Sequence, residues 1–238
     1  TNGAAAQARG RDAFTYISSV LHETGTLDVV AEISQTDGGG FLATAGTYFP
    51  VGTGYFSGST LARLHDPGDA KPFSNTEEIV MTVDFGFPWN FTSNPAAFSE
   101  FDFQSVLTHE FTHGLGFFSL IGSNGVGVTG AGAYMAFDQF IGRRSDGLHL
   151  ISGNPGSFQA SLSDLTGDAL EFLGSEAGQA YQPNPTPGIY APTPFASGSS
   201  MSHWDTGNIV GGAVMEHAIS NGETRRTYAD VDLGALRA

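Results

Sequence analysis

The 238-residue sequence contains no cysteine. A disulfide, a thiolate nucleophile and a Cys-ligated metal are therefore excluded, and any metal chemistry falls to His, Asp and Glu. Basic residues are also scarce. Nine Lys and Arg stand against 24 Asp and Glu, a formal net charge of −15, and Lys71 is the single lysine. Phosphate recognition needs a basic footprint, so this balance argues against nucleic acid as a partner and against docking on anionic lipid. No apolar run approaches the length of a membrane span, and the opening TNGAAAQARGRD does not read as a signal peptide. We expect no membrane insertion, and any export signal to lie outside this stretch. The missing cysteine, few lysines, strong acidity and 33 glycines together suit a secreted, extracellular protein that does without disulfides.

What is present is enough for a sizeable core: 40% of residues are hydrophobic, in a length that suits one large domain or two small lobes. Ala13, Phe14, Ile17, Val20 and Leu21 recur at helical spacing within 4–22. Residues 26–34, 41–49 and 78–85 read as strands, the last with Ile79, Met81, Val83 and Phe85 on one face. The stretch 50–77, rich in Gly, Ser and Pro, reads as loops. Asp102 is placed to cap an apolar helix, FQSVLTHEFTHGL, that ends at Gly114 and Gly116. The second half is less regular. It offers a glycine-rich loop over 122–132, an apolar element of either type over 134–141 and a short helix within 162–173. Residues 181–200 hold five prolines and read as an extended loop, and the C-terminal TYADVDLGALRA as a helix packing through Val231, Leu233 and Leu236.

The densest chemistry is His109-Glu110-Phe111-Thr112-His113. Residues four apart share a helix face, so both imidazoles can aim at one ion. Glu110 is rotated by about 100° from His109, out of the coordination sphere but within reach of a metal-activated water as general base. Two imidazoles inside an apolar helix would otherwise lack partners. Three protein ligands and one open position is the usual catalytic zinc arrangement, so a third ligand is needed.

The continuation HGLGF places Gly116 three residues after His113, where the chain can leave the helix sharply. Here the sequence resembles the metzincin metallopeptidases, whose extended motif is HExxHxxGxxH. It departs from that motif at Ser119, which stands where the third His would be. Further on, Ser202-His203-Trp204 is followed twelve residues after His203 by Met215. This resembles the leishmanolysin group, in which a long insertion precedes the third His and a methionine turn follows it. The resemblance implies His109, His113 and His203 as zinc ligands, Glu110 as the base and Met215 as the turn. It also draws attention to His217, two residues beyond Met215, where some metzincins carry a tyrosine. That residue is either a hydrogen-bond donor to the tetrahedral intermediate or a solvent-facing His. The implied fold is α+β and zincin/metzincin-like. A mixed twisted sheet and the motif helix occupy subdomain 1–116, and a loop-rich subdomain 117–238 carries the insertion, the third ligand and the turn.

Other third ligands stay open: His149, Asp138, and Glu171 or Glu176, which would resemble the glutamate-ligand arrangement of thermolysin-like enzymes. Asp84, Asp138, Asp146, Asp164, Asp168 and Asp205 are candidates for a Ca2+ site, although none forms a D-x-[DN]-x-[DN]-G loop. Trp204, Phe117 and Phe118 read as packing residues. The expected function is hydrolysis of a protein or peptide substrate by a secreted zinc endopeptidase, with the peptide added as a strand along an exposed sheet edge at 78–85. Two alternatives are a gluzincin-like peptidase and a non-catalytic binding module with a structural zinc.

Overall fold

The computed structural model describes residues 3–21, 27–34, 40–49, 52–65, 77–181, 186–207, 209 and 212–238. In chain order its helices are α1 (Gly3–Leu21), α2 (Gly58–His65), α3 (Phe103–Gly114), α4 (Ser175–Ala180) and α5 (Asp230–Arg237). The first strands are β1 (Val29–Ser34), β2 (Ala43–Thr47), β3 (Gly54–Phe56), β4 (Ile79–Asp84), β5 (Trp89–Asn90) and β6 (Phe101–Asp102). The later ones are β7 (Ala133–Met135), β8 (Ile141–Arg143), β9 (Ile151–Ser152), β10 (Ser157–Phe158), β11 (Leu170–Phe172) and β12 (Gly188–Ile189). The class is α+β with small mixed sheets, and none of the described helices is long and apolar enough to cross a membrane. The chain divides into two units. One comprises Thr1–Tyr48, Ser59–Leu115 and Ala218–Thr227; the other comprises Phe49–Gly58, Gly116–His217 and Tyr228–Ala238.

In the first unit β4 is the middle strand of the order β1-β4-β2, parallel to β1 and antiparallel to β2. Ile79, Met81 and Val83 are buried on one face, as their period-two spacing predicts. The expectation that 78–85 offers a free edge is wrong. Both sides of β4 are already hydrogen-bonded, so it has no backbone groups left for a peptide. The loop expectation for 50–77 also fails in part, because β3 and α2 lie within it, while 66–76 fall outside the described residues. The start of α2 is tied down by hydroxyls. Thr47 Oγ1 lies 2.9 Å from Ser59 Oγ and 3.0 Å from Thr60 Oγ1, and both of those hydroxyls donate to the Glu78 carbonyl.

Helix α3 is buried along nearly its whole length. Phe14 of α1 stacks on its Phe111 with ring centroids 3.8 Å apart. Asp102 is its N-cap, accepting the Ser105 N–H at 2.9 Å and the Ser105 hydroxyl at 2.7 Å. Arg226 closes on the same carboxylate, its Nε 3.0 Å from Oδ1, and donates to the Thr92, Ser93 and Asn94 carbonyls. At the other end Gly114 lies so near Ile79 that an added Cβ would come within 2.7 Å of that side chain.

The second unit packs around Trp204, which meets Phe117 and Phe172 edge-on at 5.1 and 5.6 Å between centroids. Phe117 is thus core, as read, while Phe118 is half-buried. The helix expected within 162–173 reduces to a single 3-10 turn over Leu162–Leu165. Residues 170–172 are strand β11, held between antiparallel neighbours β8 and β12. The apolar 134–141 stretch divides among β7, a 3-10 turn and β8. In α5, Val231 is buried and Leu233 and Leu236 half-buried.

Candidate metal centre

One turn of α3 sets His109 and His113 on the same face, His113 buried and His109 half-buried. Their Nε2 atoms lie 3.1 Å apart, with ring planes at 89°. A tetrahedral zinc about 2.0–2.1 Å from each nitrogen needs an N···N separation of about 3.3 Å, so the pair needs almost no adjustment. Gly116, with φ of 102°, turns the chain out of the helix in a conformation that disfavours any residue with a Cβ.

The ring nitrogens of His109, His113 and His203 all lie within 4.8 Å of one another, a group that could bind a metal ion. His203 is buried and follows a tight turn in which Met201 takes a φ of 63°. Its Nδ1 lies 2.8 Å from the Ser199 carbonyl. A carbonyl can only accept, so Nδ1 carries a proton, and in the neutral ring Nε2 is then the nitrogen with the lone pair a metal requires. Met215 is fully buried, and its carbonyl accepts the Trp204 N–H at 2.8 Å, which ties it to the residue after His203. His217 is half-buried and stacks face to face on Tyr190, centroids 3.8 Å apart and planes at 4°, so it is not the solvent-facing His of one reading.

Glu110, next to His109 on α3, is buried. Burial pushes its carboxyl up to about 8, opposed by the Ala45 backbone N–H on β2. Its Oε2 is buried and has no hydrogen-bond partner among the described residues.

The rival ligands stand elsewhere. His149 is exposed, its Nδ1 2.6 Å from the Gln139 carbonyl. Glu171 lies on β11 rather than on a helix and accepts the Thr186 hydroxyl; Glu176 is exposed in the first turn of α4. Asp138 is fully buried and accepts the Leu120 and Met135 N–H groups at 3.1 and 2.8 Å. Among the described residues no set of three acids converges as a calcium site would require. Asp146 and Asp164 instead flank Arg143. Sequence reasoning missed Tyr190, whose only signal is an aromatic ring in a proline-rich stretch, and Asp232, which reads there as an ordinary first-turn acid.

Comparison with known proteins gave no match to a protein family, a curated protein or a solved structure.

Proposed function

We propose that the chain is a zinc-dependent endopeptidase of metzincin type, most like the leishmanolysin group, acting outside the cell. The observation that carries this reading is the convergence of three imidazoles, with Glu110, the residue after His109, buried and one of its oxygens without a partner among the described residues. Three neutral imidazoles are a donor set that suits zinc, and His109, His113 and His203 would hold the ion. A zinc ion held there supplies Lewis acidity, polarising a scissile carbonyl and lowering the pKa of water to about 7. Glu110 then takes the proton of the attacking water and returns it to the leaving amine. A neighbouring dication also favours ionised Glu110, against the effect of its burial. His217 is the candidate donor to the oxyanion, with Tyr190 holding its ring.

The substrate edge moves from β4 to β2. Among the described residues β2 pairs with β4 alone, and its Ala45 N–H faces Glu110. A peptide added along this strand would bring its scissile bond to the base. The glutamate-ligand alternative loses support because His203, not Glu171 or Glu176, stands with the helical pair. A purely structural zinc has no use for a carboxylate at Glu110.

The deciding experiment is metal analysis at the zinc edge together with a chelator-sensitive casein assay. Glu110→Gln, a neutral isostere for a buried acid, should abolish hydrolysis while zinc content stays at one per chain. His203→Ala should lose both. Hydrolysis by Glu110→Gln at the wild-type rate, or full zinc in His203→Ala, would overturn the assignment.

A further inference from the structure

Asp232 lies in the first turn of α5 and is fully buried, and nothing in the proposed chemistry uses it. Its Oδ1 accepts the Trp204 indole N–H at 2.8 Å and the Met215 N–H at 3.3 Å. Its Oδ2 accepts the Val214 N–H and the Ala229 N–H, each at 2.9 Å. The bond to Ala229 is ordinary for an acid in a first helical turn, which reaches back to the residue before the helix. An acid with that duty alone needs no other partner and stays in water.

The other three donors come from two stretches that α5 does not adjoin in sequence. One is the residue directly after His203; the other is the run Val214-Met215 in the buried methionine turn. An ionised carboxylate is costly to bury unless donors surround it. Desolvation raises the Asp232 pKa, and the Val214, Trp204, Ala229 and Met215 N–H groups draw it back. So many donors gathered on one side chain fix the positions of the segments that carry them.

We infer that Asp232 is a positioning residue of the metal centre: its carboxylate clamps Trp204 to the methionine turn and so sets the aim of the His203 imidazole. His203 is then held on both sides, by its own Nδ1–H to Ser199 and by the anchored residue that follows it. This inference rests on the metal reading above. Supporting groups of this kind, though not ligands, commonly change metal affinity or activity by 10–100-fold when altered.

Asp232→Asn preserves size but must turn an NH2 toward N–H groups that now have an acceptor. With the fold intact by circular dichroism, it should bind Zn2+ about 10–100-fold more weakly in competition with a chelator. The d–d absorption of the Co2+-loaded protein should shift as well. Trp204→Phe, which removes one of the four donors and keeps an aromatic ring in the core, should shift both readouts in the same direction by less. A folded Asp232→Asn protein with wild-type Zn2+ affinity and Co2+ spectrum, and only a lower melting temperature, overturns the inference and leaves Asp232 as a cap of α5. Should Asp232→Asn not fold, Trp204→Phe decides, and unchanged affinity and spectrum overturn it. Wild-type protein that takes up neither ion sinks the metal reading instead. The positioning role then stands on NMR: Asp232→Asn must move the His203 ring signals, and unmoved signals overturn it.

Discussion

Asp138 accepts two backbone N–H groups through a single oxygen, Oδ2, inside a fully buried site. Burial pushes its carboxyl from an ordinary 3.8 up to about 7, against the Ser119 hydroxyl and the Leu120 and Met135 N–H groups. An acid with a folded-state pKa above its unfolded one holds its proton more tightly in the native chain. Its contribution to stability is full below about pH 4 and is lost as pH rises through about 7. Three units correspond to about 4 kcal/mol as an order of magnitude. We therefore predict that stability falls between pH 4 and 7, measured by urea unfolding at a series of pH values. Asp138→Asn keeps an acceptor for both N–H groups and removes the charge, so it should flatten that slope and stabilise the protein at pH 8. A slope unchanged by the substitution would mean that Asp138 is ionised in the fold at neutral pH.

The motif helix is held at both ends by contacts unrelated to chemistry. At its start Asp102 serves the Ser105 cap and the Arg226 guanidinium at once. Asp102→Ala leaves a half-buried guanidinium short of its anion and removes a cap, for a loss of about 3 kcal/mol; the three carbonyls still facing Arg226 keep it near the low end. Chemical denaturation should show this as a lower midpoint at unchanged m-value. At its end Gly114→Ala would drive a methyl against Ile79, and the overpacking should cost about 1–3 kcal/mol. Both changes lie outside the imidazole group, so the proposed zinc uptake should survive them in the folded protein. Zinc loss from fully folded Gly114→Ala would show that the helix end, not its packing, limits the site.

For the whole chain, metal that binds only the folded state adds RT ln(1 + [L]/Kd), about 2.7 kcal/mol at one hundred times Kd. For 150–250 residues each kcal/mol moves Tm by about 2–4 °C, so chelation should lower it by about 5–10 °C. Calorimetry with and without chelator checks this, and the His203→Ala protein should show no such shift. An equal Tm in both conditions would argue that the three imidazoles close on nothing. The formal charge of −15 acts at this scale too, keeping the surface solvated without selecting a fold.

Local physics made part of the molecule legible in the sequence. The α1 stripe, the period-two burial of β4, the Asp102 cap and the His109–His113 pairing depend on neighbours within a few residues. Backbone geometry alone fixes such spacings. Pairing partners are a different matter. Whether 79–84 is a middle or an edge strand depends on β1 and β2, each more than thirty residues away, and the short run 170–172 became a strand because β8 and β12 flank it. The hydroxyls that anchor α2 in a stretch read as loop likewise find partners in β2 and before β4. Which of His149, Asp138, Glu171, Glu176 and His203 joins the helical pair was settled only by long-range packing, because contacts far apart in sequence leave no periodic trace in it. The sequence by itself determined which side chains are there to offer ligand atoms, through the absence of cysteine and the four-residue spacing of two imidazoles. Tertiary structure decided which further imidazole stands with the helical pair, which strands flank β4 among the described residues, and which N–H groups Asp232 accepts, each of which exists only once distant segments meet.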